Sequence, residues 1–155
     1  MKKWSLKGKN AFVTGGTKGI GLEIVEEFVS LGAFVFIVAR DENNLLNIIE
    51  KHKGDKIDGI TCDVSVKEDR LKVVKLLLKK LDKLDILVNN AGSNIRKKAN
   101  EYSEEEIKYL FELNYFSAVE LCRGLLPLMK LSQKASIINI SSIASILDDG
   151  TGFPY

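Results

Sequence analysis

The residues of this chain best suited to chemistry are three glycines spaced as G-x-x-x-G-x-G, namely Gly15, Gly19 and Gly21, between an apolar run and an amphipathic one. Glycine at such a junction permits a sharp turn and lets a pyrophosphate approach the backbone amides at a helix N-terminus. The spacing therefore predicts a dinucleotide site, with an ordinary tight turn as the alternative. A phosphate-binding P-loop is excluded, because that motif needs Gly-Lys before Ser or Thr, and here Lys18 precedes Gly19 and Ile20.

Two cations indicate which dinucleotide would bind. The second apolar run ends in Ala39 and Arg40. Lys18 lies inside the turn that holds Gly15, Gly19 and Gly21, called here the glycine turn. An acidic side chain after this strand would bind both ribose hydroxyls, whereas an arginine pairs with a 2′-phosphate. Because Ala39 offers no carboxylate, we predict NADP(H) rather than NAD. Asp41 is predicted to cap the next helix. The alternative is that Lys18 and Arg40 are only solvated surface charges.

Short β-rich runs alternate with longer helical patterns, which predicts repeated βα units. Strands are predicted at 11–14, 33–38, 57–62, 85–88 and 136–140. Helices are predicted at about 19–31, 42–52 and 66–82. A further helix should open at a capping box of Ser103 and Glu106, and a long helix should contain Asn114 and run to about Lys130. We therefore expect an α/β fold of the Rossmann type, with a doubly wound parallel sheet in three α/β/α layers. Its ligand crevice should lie beyond the carboxyl ends of the strands.

Composition narrows the class of protein. The chain has 155 residues, of which 45% are hydrophobic and 28% charged, and its net charge is +2. These values indicate one globular domain over residues 1–155. No run resembles a membrane span or a signal peptide, so we expect a cytoplasmic protein with no membrane partner. Cys62 and Cys122 lack Cys or His partners at metal-ligand spacing, which predicts reduced thiols and no metal site.

The lysine-rich stretch from 67 to 83 is predicted to be a helix docked through one face. Its apolar residues recur at helical spacing: Leu71, Val74, Leu77, Leu78 and Leu81. We therefore expect its lysines to lie on a solvated face. Nucleic acid is not a predicted partner, because the net charge is small and no aromatic residues alternate with the cations.

Further polar residues occur from the end of the third predicted strand onward. They are Asp63, the run Asn89-Asn90-Ala91-Gly92, Asn114, and Ser142 thirteen residues before Tyr155. Together with the glycine turn, they resemble the motifs of the short-chain dehydrogenase/reductase family. The runs at 4–6, 14–21 and 25–28 are similar to tropinone reductase-like members, which reduce ketones with NADPH. The resemblance covers the whole chain given and the first part of a family domain.

The resemblance implies a site for NADP(H). The glycines would shape the pyrophosphate cradle, Asp63 would accept from the adenine amino group beside Val64, and residues 90–92 would follow the adenosine-side ribose. The implied cofactor-binding residues are Gly15, Thr17, Lys18, Gly19, Ile20, Gly21, Arg40, Asp63, Val64, Asn90, Ala91 and Gly92. As alternatives, Asp63 caps the following helix, and residues 89–92 form only a strand-ending turn.

The resemblance also implies the catalytic residues Asn114, Ser142 and Tyr155. The Tyr155 phenol would give its proton to a carbonyl oxygen as hydride arrives from the nicotinamide. The Ser142 hydroxyl would orient that carbonyl, and Asn114 would hold a water of the proton relay. Ser142 is chosen over Ser141 because its offset from Tyr155 matches the family. The predicted activity is reduction of a small ketone to a secondary alcohol.

One departure from the family pattern concerns the motif Tyr-x-x-x-Lys. Its lysine would fall four positions after Tyr155, where the given chain has already stopped. The last strands of the family fold are absent too, which predicts an unpaired edge beside the fifth strand. The hypotheses are a longer protein that is a reductase, or a catalytically inactive, truncated dinucleotide-binding module. A full-length family member is expected to be a homo-oligomer.

Overall fold

A parallel sheet of five strands forms the centre of the described structure, in the order β3-β2-β1-β4-β5. The computed structural model of the chain describes residues 4–54, 56–146 and 152. The strands are β1 (Asn10–Thr14), β2 (Phe34–Ala39), β3 (Ile57–Thr61), β4 (Ile86–Asn89) and β5 (Ser136–Asn139). The chain runs outward from β1 to β3 and then returns to β4 beside β1. The sheet is thus doubly wound, as predicted, with its switch point between β1 and β4.

Helices cover both faces of the sheet. They are α1 (Gly19–Ser30), α2 (Glu42–Lys51), α3 (Lys67–Lys80), α4 (Glu104–Phe111) and α5 (Ser117–Lys130). Successive strand residues point to opposite faces. Val13 and Ile37 therefore join the apolar cluster that contains Val25 of α1, whereas Phe12 joins the cluster that contains Leu77 of α3. The predicted three-layer α/β/α fold is confirmed.

The long helix predicted to contain Asn114 includes an irregular segment. Residues Glu112–Phe116 form a π-helical segment, called here the π turn, which joins α4 directly to α5. The helical path is therefore continuous from Glu104 to Lys130. Asn114 lies within it, as predicted, but in a widened turn. A π turn accommodates an extra residue, and such turns are frequent at functional sites.

The predicted helix caps are confirmed. Ser103 Oγ accepts from the Glu106 N–H at 3.2 Å, while Glu106 Oε2 accepts from the Ser103 N–H at 3.0 Å. Asp41 Oδ1 accepts from the Asn44 N–H at 2.9 Å and so caps α2, as expected for a carboxylate before a helix. No helix within the described ranges is long and apolar enough to cross a lipid bilayer.

The strand β5 lies at one edge of the sheet, and all four of its residues are exposed. It pairs in parallel only with β4, through a register that sets Ile137 opposite Leu87. The exposed residues include Ile137 and Ile138, which are apolar. The exposed apolar edge predicted beside the fifth strand is therefore present in the described part of the chain.

A buried carboxylate joins the amino ends of β1 and β4. Asp85, only 1% exposed, accepts hydrogen bonds from Lys9 Nζ at 2.9 Å, the Asn10 N–H at 3.0 Å and Ser132 Oγ at 2.7 Å. Burial by itself would raise the pKa of Asp85, but these hydrogen bonds and the charge of Lys83 outweigh it and lower the pKa. The carboxylate therefore stabilises the fold at neutral pH.

We expect Asp85→Asn to lower the free energy of unfolding at pH 7 by about 2–4 kcal/mol, because Lys9 and Lys83 lose their buried counter-charge. A depressed carboxyl pKa contributes stability above the unfolded-state value of about 3.9, and that contribution is lost as the pH falls further. Urea titrations of the full protein between pH 7 and pH 3 should therefore show a shallower acid loss for the variant.

The control is Asp82→Asn, since Asp82 is exposed and accepts only from Asn10 Nδ2 in the described structure. Its free energy of unfolding should stay within about 0.5 kcal/mol of the wild type. Equal unfolding curves for Asp85→Asn and wild type across this pH range would contradict the role assigned to the buried carboxylate.

Candidate active site

The glycine turn leaves β1 after Thr14 and enters α1 at Gly19. Gly15 and Gly19 have φ angles of +66° and +53°, in the left-handed region that side chains rarely adopt. The Gly15 N–H donates to the Val38 carbonyl at 2.8 Å, which holds the turn against the end of β2. A Cβ at Gly21 would overlap the Gly15 carbonyl oxygen, so α1 begins directly against the turn. All three glycines of the predicted motif are therefore required by the backbone.

Sequence reasoning overlooked Gly16 as a contributor to this turn. A Cβ there would lie 3.0 Å from both Ile37 Cγ2 and Val25 Cγ2, closer than ordinary contacts. Because glycine has no side chain, the turn can pack closely against Ile37 of β2 and Val25 of α1. The sequence did contain an indication of this role, since Gly16 directly follows Gly15, but Gly16 lies outside the G-x-x-x-G-x-G spacing.

Thr14 and Asn90 join the turn to the segment that follows β4. Thr14 Oγ1 accepts from the N–H groups of Asn90 and Ala91, each at 3.0 Å. In return, Asn90 Nδ2 donates to the carbonyls of Thr14 at 2.9 Å and Gly15 at 3.2 Å. The Asn90 side chain thus stabilises the glycine turn. Thr14 is a second residue that the sequence analysis quoted without assigning it a role.

The segment after β3 presents Asp63 and Val64 at the same edge of the sheet. Asp63 Oδ1 accepts from the N–H of Ser65 at 2.9 Å and from its hydroxyl at 2.7 Å. This closes a local turn before α3, whose N-cap residue is Val66. The alternative in which Asp63 caps the helix is therefore not what the structure has. Asp63 Oδ2 lies 4.0 Å from Arg40 Nη1.

Two predicted cations border the glycine turn. Lys18 is the exposed residue that precedes α1, and its ammonium has no ion-pair partner among the described residues. Arg40 follows β2 with a side chain that is 60% exposed. Its Nη1 donates to Tyr109 Oη at 3.2 Å. Of the other predicted residues of the turn, Thr17 is half-buried and Ile20 is exposed.

Asn114 projects from the π turn toward the segment after β4. Its Oδ1 accepts from the Ser93 N–H at 3.0 Å, and its Nδ2 donates to the Ser93 carbonyl at 2.8 Å. A Cβ at Gly92 would lie 3.2 Å from Asn114 Oδ1, so a side chain there would crowd the amide. The structure thus brings together Gly92 and Asn114, two of the residues singled out in the sequence.

A buried arginine that sequence reasoning missed connects these segments. Arg70 is 2% exposed, and its guanidinium makes three hydrogen bonds of 2.7 Å. They run to the Val64 carbonyl, to Glu112 of the π turn and to Glu120 of α5. Burial would lower the pKa of Arg70, but the two carboxylates outweigh it and raise the pKa.

The spacing of Arg70 from Val73 and Leu77, by three and seven residues, could have indicated that Arg70 lies on the buried face of α3. The buried residues of α3 are Arg70, Val73 and Leu77, one face that begins with a charge. Leu71 and Leu78, which were predicted to lie on the docked face, are exposed instead. The prediction chose the docked face from apolar residues alone, whereas the buried face of α3 also includes the charged Arg70.

Ser142 follows β5 at the same carboxyl edge. Its Oγ accepts from the Ala144 N–H at 3.2 Å and caps the short 3-10 turn Ile143–Ser145. The end of β5 is held to β4 by a hydrogen bond of 2.8 Å from Asn89 Nδ2 to Asn139 Oδ1. The third predicted catalytic residue, Tyr155, lies outside the described residues.

Neither cysteine forms a disulfide in the described part of the chain. Burial, followed by the nearby carboxylates of Asp69 and Asp63, raises the pKa of the Cys62 thiol to about 12. A thiol with so high a pKa stays protonated and is a weak nucleophile. Within residues 4–54, 56–146 and 152, no group of three or more His, Cys, Asp or Glu residues could hold a metal ion.

Comparison with known proteins identifies the family. The short chain dehydrogenase model matches residues 9–155. The chain belongs to the short-chain dehydrogenase family. A tropinone reductase homolog of Arabidopsis thaliana is 43% identical to it over 157 residues, which cover 99% of this chain and 60% of that protein. A tropinone reductase homolog of Datura stramonium is 40% identical over 149 residues, which cover 94% and 56%. This short-chain dehydrogenase is thus tropinone reductase-like, and the chain spans less than two thirds of these relatives.

Solved structures support the same assignment. The RhlG complex with NADP from Pseudomonas aeruginosa is 32% identical, with a TM-score of 0.89 over 97% of this chain and 61% of that one. L-sorbose reductase from Gluconobacter frateurii, complexed with NADPH and L-sorbose, is 34% identical, with a TM-score of 0.85 over 92% and 55%. The predicted family and fold class are therefore confirmed.

We expect Gly21→Ala to weaken nucleotide binding at least tenfold, because the new methyl group would overlap the Gly15 carbonyl and push α1 away from the turn. Titration of the full protein with NADPH, followed by cofactor fluorescence, measures the effect. Glu23→Ala is the matched control, since Glu23 is exposed on the same helix. Wild-type affinity in Gly21→Ala would contradict the close approach of helix and turn.

Proposed function

We propose that this short-chain dehydrogenase is an NADP(H)-dependent carbonyl reductase that converts a ketone to a secondary alcohol. The observation that carries the cofactor choice is the exposed Arg40, which follows β2 where Ala39 offers no carboxylate. The exposed ammonium of Lys18 adds a second cation beside the turn. Complexes of related proteins with NADP and with NADPH support the same choice.

The residues around the glycine turn fit the proposed cofactor. Apart from the neighbouring residues and backbone of α1 itself, no atom of the described residues lies within 4 Å of the position that a Cβ would take at Gly19, so the space beside the turn is open to a phosphate. The N-terminus of α1 faces that space and favours negative charge. Asp63 and Val64 would hold the adenine, and the segment from Asn90 to Gly92 would follow the ribose.

The side-chain amide of Asn90 already donates its hydrogens to the carbonyls of Thr14 and Gly15. Other groups of the segment 90–92 would therefore have to contact the ribose. The backbone carbonyl oxygen of Asn90 and the exposed backbone of Gly92 are the groups that could approach the ligand. The role proposed for Asn90 is therefore mainly to support the cradle.

When bound, the nicotinamide would supply the hydride for the carbonyl carbon. The Ser142 hydroxyl would donate a hydrogen bond to the carbonyl oxygen and orient it. The Tyr155 phenol would give that oxygen its proton, so that hydride and proton together complete the alcohol. Asn114 would hold a water that returns a proton to the phenolate. Positioned proton transfer of this kind accelerates a reaction roughly 10²- to 10⁴-fold.

We also propose that the full protein is a homo-oligomer. The helical segment from α4 through α5 exposes Phe111, Tyr115, Phe116 and Leu126. Tyr115 and Phe116 stack edge to face with ring centroids 5.2 Å apart. Exposed aromatic residues in one segment are typical of an association surface. The resemblance to the family implies subunit contacts through the same long helix.

The cofactor choice is tested by Arg40→Ala. We expect NADPH to bind about ten- to a hundredfold more weakly, because a charge-assisted fork to the 2′-phosphate is lost, whereas NADH binding should change less than about twofold. Isothermal titration of the full protein measures both. Arg96→Ala, which removes an exposed arginine from another loop, is the control. Tighter binding of NADH than NADPH by the wild type would overturn the choice of cofactor.

The catalytic assignment is tested by Ser142→Ala. We expect ketone-dependent NADPH oxidation to fall by about 10²-fold or more, with the NADPH dissociation constant unchanged. Ser141→Ala is the matched control, because Ser141 is the exposed neighbouring hydroxyl. Loss of activity in Ser141→Ala instead would move the role to that residue. Intact NADPH binding without turnover of any ketone by the full protein would favour the inactive dinucleotide-binding module.

A further inference from the structure

The side chain of Arg40 is held at one nitrogen, although it is largely exposed. Its Nη1 donates to Tyr109 Oη at 3.2 Å and lies 4.0 Å from Asp63 Oδ2. Tyr109 belongs to α4, so this contact joins the end of β2 to a helix that follows β4. A long exposed side chain without such a contact would sample many rotamers. The Tyr109 hydroxyl therefore limits where the guanidinium can lie.

The same contacts leave the other edge of the guanidinium free. Both involve Nη1, and neither Nε nor Nη2 of Arg40 has a hydrogen-bond partner among the residues that the structure describes. A guanidinium binds a phosphate through two parallel N–H groups, and the Nε and Nη2 edge offers such a pair. Arg40 is thus held at one end and remains open to an anion at the other.

The Tyr109 ring is well placed to act as a fixed support. It is half-buried and packs against the apolar cluster that contains Val64, the residue proposed to lie beside the adenine. A tyrosine side chain has few rotatable bonds, and its polar end can meet a partner while its ring stays packed. Its hydroxyl is uncharged and therefore does not repel a phosphate as a carboxylate would.

We propose that Tyr109 is a positioning residue for recognition of the adenosine 2′-phosphate, which it serves by holding Arg40 at Nη1. This inference rests on the proposed function, since it presumes that the site accepts a 2′-phosphorylated nucleotide. Tyr109 acts on selectivity between phosphorylated and unphosphorylated ribose, and it has no direct part in the reaction at the nicotinamide.

The test is Tyr109→Phe in the full protein, which removes the hydroxyl and keeps the ring. The probes are 2′,5′-ADP and 5′-AMP, which reach only the adenosine end of the site. We expect the dissociation constant of 2′,5′-ADP to rise about three- to tenfold, the size of one ordinary net hydrogen bond, because Arg40 loses its fixed position, while that of 5′-AMP changes less than about twofold. Tyr115→Phe, at an exposed tyrosine of the π turn, should change neither.

A double-mutant cycle shows whether Tyr109 acts through Arg40. In the Arg40→Ala background, Tyr109→Phe should have no further effect on 2′,5′-ADP. An equal effect in both backgrounds, or an equal loss of both nucleotides, would overturn the inference and assign Tyr109 to general packing. A selective effect of Arg40→Ala without any effect of Tyr109→Phe would overturn it too, while the proposed function stands. If wild type binds 2′,5′-ADP no better than 5′-AMP, the cofactor choice and the inference both fail.

Discussion

The geometry of the candidate site depends on a reciprocal exchange of hydrogen bonds between the segments that follow β1 and β4. The Thr14 hydroxyl accepts from two successive backbone N–H groups, and the Asn90 amide donates to the carbonyls of Thr14 and Gly15. These segments meet at the switch point of the sheet, where neighbouring loops diverge to opposite faces. These hydrogen bonds join the two segments across the switch point, so Thr14 and Asn90 hold the glycine turn in shape from its two sides.

Four charged residues near the site and the sheet lie in two different environments. Arg70 and Asp85 are buried, and each is surrounded by partners that satisfy its charge. Lys18 and Arg40 are exposed at the carboxyl edge of the sheet, and N–H groups of both remain available to a ligand. A buried ion without partners would be too costly, whereas an exposed cation costs little and can attract an anion. The two exposed cations border the glycine turn, where a phosphate of the proposed cofactor would lie.

Arg70 also links two ends of the proposed site. Its hydrogen bonds hold the Val64 carbonyl, at the proposed adenine end, and Glu112 of the π turn that carries Asn114. The main contribution of these hydrogen bonds is position, because the cost of desolvating buried charges offsets much of their attraction. The adenine end and the Asn114 end of the site therefore share a common support inside the protein.

The sequence by itself determined the order of strands and helices, the caps at Asp41 and Ser103, and the glycine turn, because each depends on local periodicity or on the conformational freedom of one residue. It also carried the motifs of the family. Only the tertiary structure decided the π turn around Asn114, the burial of Arg70, and the contact between Arg40 and Tyr109. The last two features join groups far apart in the chain, and their partners follow from how the helices pack against the sheet, which no local pattern encodes.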